Sequence, residues 1–310
     1  MALIRLGTRG SLLARSQSAI VAGEIQRIHP DIQVQTIIIN TTGDQITDRP
    51  LYEAGGKGLF VKELEQALLA GQIDFAVHSC KDLPVTMPLV DQSDLILAAI
   101  PARLDSRDVL ICRHAAAIRQ LPPGAAVATG SLRRRCQLLA CRSDLRIQAV
   151  RGNIDTRIKK LRAGEFDAMV LAMAGITRAE LFDSSLMHPL SPDEILCAPG
   201  QGALALQCRR DDAWTREILR ILDDPLSRMA IEAERAVVAA LHGDCHSPIA
   251  ALARIDGQTL HLRAVVGRRD GNPPVISARS LSPTSQSREV VAAVVEQLIA
   301  QGAPAMLKDD

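Results

Sequence analysis

"IDFAVHSCKDLP", residues 73–84, passes from apolar to charged within a few positions. Ile73 to Ser79 reads as a short buried strand, and Lys81 and Asp82 sit on the turn just past it. In open α/β sheets, ligands bind beyond the carboxyl ends of the strands. A lysine beside an aspartate there can hold an acid and a cation at one reaction centre; the plain alternative is a surface turn with ordinary charges.

Working outward, "LFVKELEQALLAG" (59–71) is a helix ending at Gly71, and "IQVQTIIIN" (32–40) is a strand. "LIRLGTR" (3–9) is a first strand entering a glycine turn, and "SLLARSQSAIVAGEIQRIH" (11–29) is a helix that Ser11 can cap. Between the strand 32–40 and the helix 59–71 lies "TTGDQITDRPLYEAGGKG" (41–58), a long polar and glycine-rich stretch expected to be a mobile loop. Strand, helix, strand, helix, strand makes a largely parallel sheet with helices on both faces.

Downstream the pattern renews. "DLILAAIPA" (94–102), "DVLICR" (108–113), "AAVATG" (125–130), "LRIQAV" (145–150) and "FDAMVLAMAG" (166–175) read as strands. "SLRRRCQLLACR" (131–142), capped by Ser131, and "NIDTRIKKLRAG" (153–164) read as helices. "PGQGALALQCR" (199–209) reads as a strand returning to the first unit. Two helices (212–224 and 225–241), three strands within 248–280 and a helix from about Ser287 to Ala300 make a small α+β domain. No period of repeat length is present.

The strand-to-helix junctions carry the chemistry. "ATGSLRRRCQ" (128–137) is strand, glycine, serine, helix, the geometry of an anion site with free N–H groups at the helix start. Arg133, Arg134 and Arg135 occupy that first turn, where cations oppose the helix dipole. Such a conflict with local preference marks a functional position, and a bound anion would relieve it. Arg135 is read as the outward member of the trio. Arg9, Arg151, Arg157 and Arg178 repeat the theme at other junctions, which implies a cleft lined for a polyanion. The chain holds 30 arginines and 6 lysines, a bias that codon usage and the carboxylate-gripping guanidinium fork both explain.

Net charge is +1 over 310 residues, with six Phe, Tyr and Trp in all, so a nucleic-acid surface is disfavoured. "GGKGLF" (55–60) is not a P-loop, and no GxGxxG opens the first helix. The opening "MALIRLGTRG" lacks a signal core because Arg5 and Arg9 interrupt it, and no apolar run spans a bilayer. A cytoplasmic protein with no membrane partner is expected. Seven cysteines without a CxxC suggest neither a disulfide framework nor zinc. No metal is expected. In "AALHGDCHSPIAAL" (239–252), Cys245 lies among loop formers beside His246. Such a cysteine can be a reactive thiolate. Residue chemistry alone leaves nucleophile and tether both open.

Taken together, "GTRGSLLA", "TTGD", "GGKGLFVKELE", "DFAVHSCKDLP", "IPARLDSRDVLI", "GSLRRRCQL", "RGNIDTRIKKL", "PGQGALALQCR" and "HGDCHSPIA" resemble the porphobilinogen deaminase (hydroxymethylbilane synthase) family, in family order over about residues 3–255. The resemblance implies a fold of two periplasmic-binding-protein-like (type 2) α/β domains with a cleft between them, plus a small α+β C-terminal domain. The expected boundaries are 1–99 with 200–220, 100–199, and 221–310. It implies a transferase that polymerises four porphobilinogen molecules head to tail, releasing four ammonia, to give hydroxymethylbilane in tetrapyrrole biosynthesis. The implied cofactor is dipyrromethane, attached through a thioether to Cys245. Asp82 takes the catalytic position. Arg9, Ser11, Lys81, Arg133, Arg134, Arg151, Arg157 and Arg178 take positions that bind cofactor or substrate carboxylates. Lys57 falls in the active-site loop, and Arg103 and Arg107 support the hinge or the substrate side. A monomer is implied, with hand-off of product to the next pathway enzyme. The chain departs from the family at Gly10, at Asp244 where glycine is common, at Gln207 where glutamate is common, and at Ala250. Asp244 beside a carboxylate-rich cofactor is unhelpful unless it faces away or accepts backbone N–H bonds.

Overall fold

The structure, a computed structural model, describes residues 2–45, 58, 60–85, 94–244 and 246–308. Its strands are β1 (Ala2–Thr8), β2 (Ile32–Ile38), β3 (Phe75–Ser79), β4 (Leu95–Ala99), β5 (Asp108–Ile111), β6 (Ala126–Ala128), β7 (Arg146–Gln148), β8 (Ala168–Ala172), β9 (Met187–Pro189), β10 (Leu204–Arg209), β11 (Ile249–Asp256), β12 (Thr259–Val266) and β13 (Ile276–Pro283). The helices are α1 (Leu12–Ile28), α2 (Thr42–Gln45), α3 (Lys62–Leu69), α4 (Leu132–Cys141), α5 (Ile154–Arg162), α6 (Met173–Arg178), α7 (Ala213–Arg220), α8 (Pro225–Ala240), α9 (Ser287–Ala300) and α10 (Ala303–Met306). The chain divides into two compact units, Met1–Leu104 with Ala203–Arg228, and Asp105–Gly202 with Met229–Asp310.

The first unit holds a five-stranded sheet in the order β2-β1-β3-β10-β4. β1 pairs in parallel with β2 and β3, and the returning β10 is antiparallel to β3 and β4. Ile4, Leu6, Phe75, Val77 and Leu206 meet Val21 and Ile25 of α1 and Ile218 and Leu219 of α7 on one face. On the other, Ala76 and Leu95 meet Leu64, Ala67 and Leu68 of α3. That two-sided burial explains why β3 is apolar without alternation. A Cβ at Gly7 would meet the end of the Ile73 side chain, which would have to shift to admit it. Gly71, at φ +64°, ends α3 as its position suggests.

The second unit repeats the order: its five-stranded sheet runs β7-β6-β8-β5-β9. The parallel trio β7, β6, β8 corresponds to β2, β1, β3, and antiparallel β5 takes the place of β10. Leu138 of α4 packs with Leu110, Val127 and Val170 on one face. Ile158 of α5 and Ile176 of α6 pack with Val109, Ile111 and Met169 on the other. The same unit contains a separate antiparallel sheet, β11-β12-β13, whose strands β12 and β13 are covered by α9. The expected pair of α/β domains and the small α+β domain are thus present as three sheets. The stretch read as one strand over 166–175 is divided: β8 stops at Ala172 and α6 starts at Met173. That break matters, because α6 carries Arg178. Strand β9 was not foreseen; three residues are too few to show a period.

Ala250, buried in β11, packs its methyl group with Leu196, Cys197 and Leu252, so this departure from glycine fills core space. Glu234 of α8 is fully buried and accepts from the backbone N–H groups of Gly200 and Ala253, fastening the helix to β11.

Candidate functional site

In the first unit, β1 and β3 run parallel side by side, so their carboxyl ends lie at one sheet edge. Arg9 and Ser11 follow β1. Ser11 caps α1, its hydroxyl accepting from the Ala14 N–H. The Arg9 guanidinium lies 3.8 Å from the centroid of the Phe60 ring, a cation–π contact that residue-by-residue reading did not anticipate. Lys81 and Asp82 follow β3 in a one-turn 3-10 helix, Cys80–Asp82. The turn is closed by the Leu83 N–H donating to the Cys80 carbonyl and anchored by the Cys80 N–H donating to the Ala203 carbonyl. Lys81 is half-buried and Asp82 is exposed. The sequence reading of a charged turn beyond a buried strand therefore describes the local geometry.

Beneath this turn lies a buried polar chain. His78 Nε2 is 3.0 Å from Gln207 Oε1, and Gln207 Nε2 donates to Glu65 Oε1 at 2.7 Å. Burial lowers the His78 pKa to about 4, although the Gln207 bond opposes the shift. Gln207 uses both ends of its amide, which gives a use for the side chain that replaces the family's common glutamate.

In the second unit, the carboxyl edge of β7, β6 and β8 collects the remaining arginines. Ser131 caps α4, accepting from the Arg134 N–H. Arg133 and Arg134 are 4% and 7% exposed, and both are committed to Asp108, which has no exposure. Arg134 donates to Oδ1 at 2.8 Å, Arg133 lies 2.8 Å from Oδ2, and Gln201 donates to Oδ1 at 2.8 Å. Arg134 also donates to the Val170 carbonyl and Arg133 to that of Leu196. Burial would raise the Asp108 pKa; the two arginines, with the bonds from Arg134 and Gln201, overcome it and hold the carboxyl well below its usual range. The helix-dipole conflict read from the sequence thus meets an internal anion. Asp108 was passed over because it stands at a strand start, 25 residues before Arg133, and nothing local pairs them. Arg135, read as the outward member, is half-buried where Arg133 and Arg134 are buried, and it donates to Asn272 Oδ1 at 3.1 Å.

Arg151 follows β7 and is half-buried. Arg157, one turn into α5, donates from Nε to the Gly152 carbonyl at 2.7 Å. Arg178 is 8% exposed and donates to the Gly202 carbonyl at 2.9 Å, with no carboxylate against it among the described residues. Burial alone pulls its pKa down to about 10. Arg103 donates its backbone N–H to Ser227, and Arg107 pairs with Asp105 at 2.7 Å.

Lys57 and Cys245 lie outside the described residues. The neighbours of Cys245 are described. Asp244 Oδ1 accepts from the N–H groups of His246 (2.9 Å) and Ser247 (2.8 Å) and from the Ser247 hydroxyl (2.9 Å). The carboxylate therefore accepts backbone N–H bonds, the condition under which it is tolerable at this position.

A family model described as "Porphobilinogen deaminase, dipyromethane cofactor binding domain" matches residues 4–217, and one described as "Porphobilinogen deaminase, C-terminal domain" matches residues 229–300. The chain belongs to the porphobilinogen deaminase family. It is 44% identical over 302 residues to a porphobilinogen deaminase of Roseiflexus sp. (strain RS-1), covering 97% of each chain. It is 42% identical over 304 residues to that of Roseiflexus castenholzii, covering 98% of each. Among solved structures, a periplasmic substrate-binding protein of an ABC transporter from Coxiella burnetii is 16% identical with a TM-score of 0.42, over 73% of this chain and 94% of that one.

The family's dipyrromethane carries an acetate and a propionate on each pyrrole. The residues present suit such a group. Arg178 is a buried cation with no carboxylate against it, and Arg134 Nε is a buried donor with no hydrogen-bond partner among the described residues. Arg133 and Arg134 together outweigh the single charge of Asp108. A polyanion at this edge would supply the charge that the fold leaves out.

Proposed function

We propose that the chain is a transferase that joins four porphobilinogen molecules head to tail, releases four ammonia, and delivers hydroxymethylbilane for tetrapyrrole biosynthesis. The observation that carries this reading is the match of both family domains, over residues 4–217 and 229–300.

Dipyrromethane, held through a thioether at Cys245, supplies a primer that is never released. Asp82 is the catalytic residue. Its exposed carboxylate accepts hydrogen bonds from the substrate's pyrrole N–H and stabilises the positive charge that develops as ammonia leaves. Arg9, Ser11 and Lys81 on one sheet edge, and Arg151, Arg157 and Arg178 on the other, bind the carboxylates of cofactor and substrate. Arg133 and Arg134, already paired with Asp108, contribute a surplus positive charge more than free donors. Lys57 belongs to the loop that keeps water from the reacting cation. Three domains, 1–99 with 200–220, 100–199 and 221–310, divide this work. The enzyme acts as a monomer in the cytoplasm and passes its linear product to the next enzyme of the pathway.

The test is intact mass of the purified protein, paired with product analysis. The mass is expected to exceed the chain mass by one dipyrromethane, and four ammonia are expected per hydroxymethylbilane. A protein of unmodified mass that gains none on exposure to porphobilinogen overturns the reading.

A further inference from the structure

Asp244 departs from the family's usual glycine, and its surroundings give it a specific task. Besides the three bonds to Oδ1, its own N–H donates to the Ser247 hydroxyl oxygen at 2.9 Å. Arg269 donates from Nη1 to the same Ser247 oxygen at 2.9 Å and brings Nη2 to 3.6 Å from Asp244 Oδ2. Arg269 is itself fixed, its N–H donating to the Met306 carbonyl at 2.9 Å. The Gly243 N–H donates back to the Val238 carbonyl at the end of α8, and the Gly267 N–H to the Pro248 carbonyl. The chain is thereby held at positions 243, 244, 246 and 247, on both sides of residue 245. Ser247 is buried, while Asp244 and His246 are half-buried.

The charge of Asp244 is also disposed of. Burial would raise its pKa, but the Ser247 hydroxyl, the His246 N–H and Arg269 outweigh that and leave it lowered. An ionised carboxylate turned onto backbone N–H groups and a guanidinium presents little negative charge to an acidic ligand.

We propose that Asp244 is a positioning residue for primer attachment, clamping the backbone on both sides of Cys245 through His246 and Ser247, with Arg269 as its counter-ion. This rests on the reading of Cys245 as the tether. In attachment, the thiol sulfur replaces ammonia at an aminomethyl carbon of porphobilinogen. The C–N bond breaks first, its electron pair leaving with nitrogen as ammonia; the sulfur then adds to the resulting cation to form the C–S bond, and ammonia carries off the thiol proton as ammonium. Capture of that cation before water reaches it depends on keeping the sulfur close to the carbon, and bonds at positions 244, 246 and 247 limit how far the chain between them can stray. After the thioether exists, the alignment has served its purpose.

The experiment uses the full chain made without a porphobilinogen supply, then mixed with porphobilinogen and followed by intact mass. Asp244→Ala is expected to gain the dipyrromethane mass at least about tenfold more slowly than the unaltered chain, since three hydrogen bonds to a charged acceptor are lost. Asp244→Asn, which keeps an acceptor oxygen, is expected to recover most of the rate. Once fully loaded, Asp244→Ala is expected to turn over with kcat and KM near those of the unaltered enzyme, a split that general loosening of the fold would not give. Loading of Asp244→Ala at the unaltered rate overturns the proposal, as does a loaded variant whose turnover falls as far as its loading. If Asp244→Ala does not fold, Ser247→Ala takes its place, because it removes the hydroxyl that Asp244 and Arg269 both engage and leaves only their direct 3.6 Å contact; unaltered loading there overturns the proposal equally. An unaltered chain that gains no mass sinks instead the reading of Cys245 on which the proposal stands.

Discussion

Arg134 donates to Asp108 across 2.8 Å with both side chains withdrawn from water, and Arg133 holds the other carboxylate oxygen at the same distance. A carboxylate alone in this interior would be protonated; two guanidinium groups keep it ionised. Breaking a buried pair by removing one partner strands the rest, at a cost of about 3–5 kcal/mol. Asp108→Asn is therefore expected to lower the denaturation midpoint by a corresponding amount, measured by urea unfolding at neutral pH. The acid-side behaviour has a definite sign. The folded-state pKa of Asp108 is depressed, so its contribution is complete above the unfolded value of about 4 and drains away as pH falls below it. In Asp108→Asn that part of the acid-side loss should be absent. An unchanged midpoint would show that the pair does not hold α4 in place.

Arg178 is the converse case. Its folded-state pKa is pulled down to about 10, so at neutral pH the buried cation costs the fold stability rather than adding to it. Arg178→Met, which keeps the stem and drops the charge, is expected to leave the thermal midpoint unchanged or higher. Its KM for porphobilinogen should rise by about tenfold or more, the loss of one charge-assisted hydrogen bond to a carboxylate. A lower midpoint with unaltered KM would make Arg178 a structural residue.

The parts of the molecule written in local patterns were legible. Ile73 to Asp82 announced both a central strand and the charged turn after it, because burial on two faces demands an unbroken apolar run. Ser11 and Ser131 announced helix starts, and both cap as read. What the sequence could not display were pairings across long separations. Asp108 meets Arg133 and Arg134, and Gln207 meets His78 and Glu65, through sheet topology alone. The antiparallel place of β10 between β3 and β4 was read only as a return to the first unit, since a strand's neighbours are set by the whole sheet. Arg135 is the outward member of its trio as read, but its partner could not be foreseen for a related reason: Asn272 lies on the loop between β12 and β13 of the smaller sheet.

Asp82 stands exposed on its one-turn helix, and among the described residues no hydrogen bond from its side chain holds that turn together. Asp82→Asn keeps the volume and removes the charge. The thermal midpoint should stay within a degree or two, while kcat falls by about two orders of magnitude or more, the scale on which lost stabilisation of developing charge is felt. The comparison is made on protein shown by intact mass to carry its cofactor. Near-normal turnover in that variant would remove Asp82 from the chemistry and return its turn to the status of an ordinary charged surface.

His78 gives the last prediction, and it concerns pH. In the unfolded chain its imidazole titrates near the ordinary value of about 6.5; in the fold, burial depresses it to about 4. The unfolded state therefore binds the proton first. Stability from this residue is complete above about 6.5, falls as pH is lowered toward 4, and is exhausted below that, a span worth about 3 kcal/mol at most. Gln207 faces Nε2 with its amide oxygen, but as a neutral amide it cannot supply the negative charge that would rescue the protonated ring. His78→Gln, able to donate to the same Gln207 oxygen, is expected to flatten the stability profile between pH 6.5 and 4 while leaving the neutral-pH value within about 1 kcal/mol. Unfolding free energies taken at half-unit pH intervals would show it. An imidazole proton spectrum in which His78 of the intact protein titrates near 6.5 would contradict the buried neutral ring and with it the Glu65–Gln207–His78 chain beneath the Cys80–Asp82 turn.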